Sequence, residues 1–254
     1  MLVNQNKNRK LSLLFSKGLA YGIIIAFFIF ILLTATDSLR YDLILNERLK
    51  LVSALFTTLL ISVITLFVSI ISGFIFFLGM NSKNVFINTL VNGFKEVVMG
   101  TPLLVMIFLV VYVFGVKVGV NQKLILGTVA LSLYMTPYIA NSYKTASAVV
   151  DKDQHLVMDL YHFSLWQKYR YVIIPQMIKP IIPSVVNNLS SIIKGSALLK
   201  IVSVPETSYI ITVISNKSYA SVEGYLVMWV MYLIITIPLS LLASYLGRRF
   251  GSEN

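Results

Sequence analysis

The chain reads as an all-α polytopic membrane protein with about six transmembrane helices and both termini in the cytoplasm. Three observations carry that reading. Of its 254 residues, 57% are hydrophobic and only 12% charged, about half the charge of a soluble domain. Six uncharged or nearly uncharged runs stand out, of the order of the roughly 20 residues needed to cross about 30 Å of hydrocarbon. The runs are continuous, not alternating. That excludes a transmembrane barrel and leaves helices as the way to satisfy backbone groups in lipid.

The first run, 18–36, follows a basic tail that carries Lys7, Arg9, Lys10 and Lys17. Its apolar stretch exceeds a secretory h-region, so a retained helix is expected over a cleaved signal. The charge-balanced piece 37–50 is expected to form a short surface helix at the outer face. The second run, 51–82, is longer than one crossing needs, so part of it must tilt, bend or leave the bilayer. The third, 97–116, contains Gly100-Thr101-Pro102. Proline suits a first helical position, and Thr101 suits the cap before it. The fourth run is 124–143, and the fifth, 180–205, is interrupted by Lys194 and Lys200. The sixth, 224–247, holds Pro238, which implies a kink.

Sidedness follows from the basic residues. With the N-terminus inside, 13 of them fall in inside segments and six in outside segments, the bias of a polytopic protein. The same dispersal accounts for the net charge of +11 without nucleic acid. There is no cysteine, which removes disulfides, thiolate metal sites and cysteine nucleophiles together. The two histidines, His155 and His162, lack the neighbours of a metal site. No Ser-His-Asp or paired-carboxylate arrangement supports catalysis, so no enzyme is expected. No phosphate-binding Gly-x-x-x-x-Gly-Lys-Ser/Thr loop occurs, so any ATP is hydrolysed by another chain.

Two features point to function. The polar island 153–175 falls on the cytoplasmic side, where an amphipathic loop touches either a soluble partner or the membrane surface. Leu156, Leu160 and Phe163 share one side at helical spacing. Asp151, Asp153 and Asp159 come early and Lys168 and Arg170 late, an order that suits a helix dipole. Trp166 and Tyr169 suit the depth of lipid headgroups. The second feature is Lys194, an ionisable group within a span, which is costly unless it faces a cavity or a partner. With Asn187, Asn188 and Ser196, and with Asn141 and Ser142 from the fourth run, it suggests a polar lining in which Lys194 meets a substrate carboxylate. The plainer alternative is a lysine that snorkels to an interface or pairs internally. Glu206, after Pro205, reads as a helix-terminus or gate feature.

Several motifs occur in a fixed order: Gly100-Thr101-Pro102-Leu103, then Ile174-Pro175-Gln176, then Lys194-Gly195-Ser196-Ala197-Leu198, then Val204-Pro205-Glu206. In this order and at these spacings the chain resembles the permease subunit of bacterial polar amino-acid ATP-binding-cassette (ABC) importers. The resemblance covers 51–250; residues 1–50 look like an added tail, N-terminal helix and outer loop. It implies a type I ABC importer-like transmembrane domain in the bacterial cytoplasmic membrane. It also implies three protein partners: ABC ATPase subunits that bind ATP-Mg, a second permease subunit (identical or related) and an extracytoplasmic amino-acid-binding protein. No cofactor is implied for this chain.

In that family a cytoplasmic loop carries Glu-Ala-Ala, three residues, Gly, nine residues, then Ile-x-Leu-Pro. Here the spacing is kept but most letters are not: Leu156-Val157-Met158 stands for Glu-Ala-Ala, His162 for the glycine, and Pro175 closes the motif. The resemblance thus makes Asp153, Gln154, His155, Leu156, Val157, Met158, Asp159, His162 and Pro175 the ATPase-coupling loop. The bulkier Val157 and Met158 imply a changed partner groove. A non-ABC carrier or channel, or a transport-inactive membrane subunit, is the alternative. An ion-driven carrier is expected to show internal repeats, and none is evident here.

Overall fold

The computed structural model describes residues 15–30 and 40–250, all built from helices and their connections. In chain order these are α1 (Phe15–Phe30), α2 (Asp42–Leu45), α3 (Arg48–Met80), α4 (Val85–Gly100), α5 (Leu103–Lys117) and α6 (Lys123–Ser147). They are followed by α7 (Lys152–Leu160), α8 (Leu165–Val202), α9 (Thr207–Ser218) and α10 (Ser221–Phe250). Among the described residues α3, α6, α8 and α10 are each long and apolar enough to cross a membrane; α4 and α5 together make a fifth if counted as one broken span. The described part of the first predicted run is α1, and 31–36 lie outside the described residues.

The third run differs from its expectation. Residues 97–100 are the last turn of α4, not the start of a span, and the chain bends by 106° between α4 and α5. Thr101 does not cap α5: its hydroxyl donates back to the Val97 carbonyl at 2.7 Å. Pro102 itself occupies the position before the helix, with ψ 136°. The physical reason is the proline, which drives the residue before it out of helical geometry and so ends α4. Asn84 starts α4 by accepting from the amides of Phe86 and Ile87, a side-chain cap.

The fifth run also differs. It is part of α8, 38 residues that begin inside the polar island and continue without a break to Val202. Pro175 does not interrupt it. The turns over Lys168–Ile173 are widened to π-type hydrogen bonding just ahead of Pro175, where a proline ring and its missing N–H would otherwise conflict with regular α geometry.

Small and hydroxylated residues hold the spans together, as expected where lipid is as apolar as leucine. Thr58, Ser62, Thr65 and Ser69 form a buried stripe along α3. Its C-terminal part faces α6, where Ser69 donates to the Ser132 carbonyl (3.2 Å) and Ser72 pairs with Thr136 (2.7 Å). At the same crossing a Cβ on Gly73 would lie 2.7 Å from Ile139 Cγ2 and 3.2 Å from the Ala140 amide, so only glycine fits. Three apolar clusters complete the core. One joins α3, α5, α6 and the end of α8 around Ile61, Val111, Leu131 and Leu199. Another sits at the cytoplasmic end around Phe77, Met158 and Met177. The third is outer, around Ile44 and Ile211, so the piece expected as a surface helix is partly anchored, with Ile44 of α2 fully buried.

Candidate functional site

The cytoplasmic segment is a helix, a tight turn and the start of α8. Asp151 caps α7 by accepting from the Asp153 amide at 3.1 Å, and Asp153 stands in the first turn, favourable for the helix dipole. His162 ends α7 in left-handed conformation, φ 52°. The His162 amide donates to the Asp159 carbonyl (3.0 Å) and the Phe163 amide to that of Met158 (2.9 Å), a Schellman motif that glycine usually closes. The turn survives with histidine in the glycine position, because His tolerates positive φ better than most residues.

Three contacts fasten this segment to the spans. Gln176 donates to Gln154 at 2.8 Å, joining two residues 22 apart. Asp159 and Lys168 form an ion pair across the turn; this hydrogen bond and the lysine charge hold the Asp159 carboxyl below the usual carboxylate range. Met158 is only 3% exposed and packs in the cytoplasmic apolar cluster. This corrects one expectation: Met158 presents nothing to a partner, since its side chain lies on the face of α7 turned toward α3 and α8.

What α7 does present is apolar. Leu156 is 61% exposed and Leu160 76%, and Val157 and Tyr161 are exposed as well. The side expected to unite Leu156, Leu160 and Phe163 stops at Leu160, because Phe163 lies beyond the left-handed turn. His155 stands exposed on the same helix. Trp166 is exposed, but Tyr169 is not at a free surface. It packs edge-on against Phe74 and Phe77, beside Tyr143.

The second group lies on α6 and α8. Asn188 donates to Ser142 at 3.0 Å and so ties the two helices. Asn141 reaches the Met99 sulfur at 3.6 Å. Asn187, Ser191 and Lys194 form an exposed polar stripe along α8, one face at helical spacing. Lys194 has no ion pair among the described residues. Ser196 is a correction: it is fully buried and donates to the Ile193 carbonyl at 2.8 Å, so it does not join that stripe.

Sequence reasoning missed a buried network around Glu206. The residue caps α9, its Oε1 accepting from the Tyr209 amide at 2.8 Å. Its Oε2 accepts from Tyr232 at 3.1 Å and lies 3.4 Å from Thr58 Oγ1, which in turn accepts from the Thr207 amide at 3.1 Å. Glu206 is therefore a helix terminus tied to α3 and α10. The reading of Glu206 as a helix-terminus or gate feature was the one trace of this network in the sequence.

Residues 72–252 match the family described as binding-protein-dependent transport system inner membrane component. A probable glutamine ABC transporter permease protein, GlnM of Bacillus subtilis (strain 168), is 30% identical over 161 residues, 61% of this chain and 72% of that protein. A probable amino-acid ABC transporter permease protein, YckA of the same organism, is 25% identical over 224 residues, 85% of this chain and 98% of that protein. Among solved structures, an amino acid ABC transporter with histidines superposes with a TM-score of 0.75 at 25% identity, covering 84% of this chain and 99% of that one. The MetNI methionine ABC transporter in an inward-facing conformation shares the fold, with a TM-score of 0.66 at 16% identity over 82% of this chain and 99% of that one. With well over half of its length matched and its helices arranged as in these transporters, the chain belongs to the binding-protein-dependent transport system inner membrane components and is a multi-pass protein of the cytoplasmic membrane.

Proposed function

We propose that the chain is the transmembrane subunit of an ABC importer and forms, with a second permease subunit, the translocation pathway for a polar amino acid. Energy comes from separate ATPase subunits that bind ATP-Mg, and an extracytoplasmic binding protein delivers the substrate. The observation that carries this reading is α7: an exposed apolar face at Leu156, Val157 and Leu160 on a helix held rigidly from behind by Met158, Gln154 and Asp159. Such a helix transmits force from a groove to the spans behind it. The relatives named as glutamine and amino-acid permeases support the substrate class. Lys194, exposed at span depth without a carboxylate partner among the described residues, supports a water-filled path between two chains.

The test is amino-acid uptake into vesicles that hold the assembled transporter. Leu156→Asp is expected to abolish ATP-driven uptake and to release the ATPase on purification, while membrane insertion stays intact. Normal uptake by Leu156→Asp would remove the docking assignment. Uptake that ignores ATP, with no ATPase co-purifying, would favour a carrier instead.

A further inference from the structure

A cavity of about 810 Å³ opens where the α3–α4 turn meets the turn between α7 and α8. Its walls are apolar and aromatic, with Phe74 and Leu78 on one side and Phe163 and Trp166 on the other. Its rim is polar. Lys83 comes from the α3–α4 turn, Lys168 from α8, and Asp159 and His162 from α7 and its terminus. Lys168 is committed to Asp159, whereas Lys83 makes no ion pair among the described residues. Two lysines against one carboxylate leave the rim with a net positive charge even when His162 is neutral.

The basic-residue asymmetry puts this end of α3 at the cytoplasmic leaflet, whose surface is negative because it carries anionic lipids. Trp166, 71% exposed, is of the residue type that settles at headgroup depth. A small soluble anion has no use for the apolar walls, and an apolar peptide has none for the ammonium of Lys83. A phospholipid uses both. We propose that this cavity binds one anionic phospholipid of the cytoplasmic leaflet, its headgroup phosphate at Lys83 and an acyl chain along Phe74, Leu78 and Trp166. The cavity shares Asp159 and His162 with the coupling loop, but Leu156, Val157 and Leu160, the exposed face of α7 assigned to the ATPase, do not line it. Bound there, the lipid links the α3–α4 turn to the segment that carries α7.

The binding assay needs neither ATP nor a partner chain, so its outcome is independent of the transport reading. The chain has two tryptophans, Trp166 and Trp229, and Trp229→Phe leaves Trp166 as the reporter beside the cavity. The full-length chain is placed in phosphatidylcholine vesicles and titrated with brominated phosphatidylglycerol or with brominated phosphatidylcholine. Phosphatidylglycerol is expected to quench Trp166 at about fivefold lower mole fraction, the factor one lysine contributes near an anionic surface. Lys83→Gln is expected to remove that preference and Lys83→Arg to keep it. Equal quenching by the two lipids, or a preference that survives Lys83→Gln, overturns the proposal. Displacement of the brominated phosphatidylglycerol by millimolar inorganic phosphate assigns the cavity to a free anion and overturns it too. If Trp229→Phe does not fold, native mass spectrometry of the unsubstituted chain and of Lys83→Gln reads the same difference as retained phosphatidylglycerol; equal retention then counts against the site.

Discussion

Residues 156 to 162 carry opposite burdens within two turns of helix. Met158 is packed behind α7 and Leu156 stands in front. Met158→Ala is therefore expected to lower stability by about 2–5 kcal/mol, measured as a fall in the thermal midpoint of the purified protein, whereas Leu156→Ala should leave that midpoint nearly unchanged. His162→Gly is expected to raise stability by about 1 kcal/mol, by relieving a left-handed backbone that costs a side chain roughly that much. Glu206→Ala removes the acceptor for the Tyr209 amide and for Tyr232. Leaving such buried donors unpaired costs about 1–3 kcal/mol each, so this change should lower the midpoint more than Glu206→Gln does. The spacing of Leu156, His162 and Pro175 was legible in the sequence, because a turn fixes offsets whatever letters fill it. The inward direction of Met158 was not, since helical period alone does not say which face of a short helix meets the protein.

At the scale of elements, the ion pair that bridges α7 and α8 should respond to acid. Asp159 has a folded pKa below its ordinary value of about 3.9. A carboxyl shifted in that direction adds stability above its ordinary range and loses it as pH falls through the lower, folded value. The protection of the α7 amides, corrected for the intrinsic exchange rate at each pH, is expected to fall below about pH 4, and Asp159→Asn should show that lower protection already at neutral pH. The crossing of α3 over α6 sets a different limit. Gly73→Ala forces a Cβ against Ile139 and the backbone of Ala140, and overpacking of this kind costs about 1–3 kcal/mol, again readable as a thermal midpoint. The long apolar runs announced α3, α6 and α10 plainly. The bend before α5 was hidden because α4 mixes Asn88, Asn92, Lys95 and Glu96 with its apolar residues and so reads as a connector. The continuity of α8 was hidden by Pro175, which reads as a boundary unless the preceding turns widen to admit it.

Across the whole molecule, one chain leaves Asn187, Ser191 and Lys194 uncovered along a span. The chain has no native cysteine, so Ser191→Cys provides a unique thiol. In the assembled transporter it is expected to react with a membrane-impermeant, charged maleimide, because a water-filled path ionises a thiol and lipid does not. Failure to react in every transport state would place the stripe against lipid or a dry interface. The stripe itself was partly visible in the sequence through Lys194, but the burial of Ser196 two residues on was not, because it depends on what α8 packs against.

The unbroken course of α8 has a mechanical consequence. Taken as a straight rod, the helix from Ile174 to Lys194 rises roughly 30 Å, although Pro180 and Pro183 within it each remove one backbone hydrogen bond. Tilting such a rod by about 5° about its cytoplasmic foot carries Lys194 sideways by roughly 2.6 Å, with no residue between them changing its backbone. A shift of that size is comparable to a water diameter. A small tilt at the foot is thus amplified, at the far end, into a movement of the exposed Asn187, Ser191 and Lys194 stripe by about the width of a water.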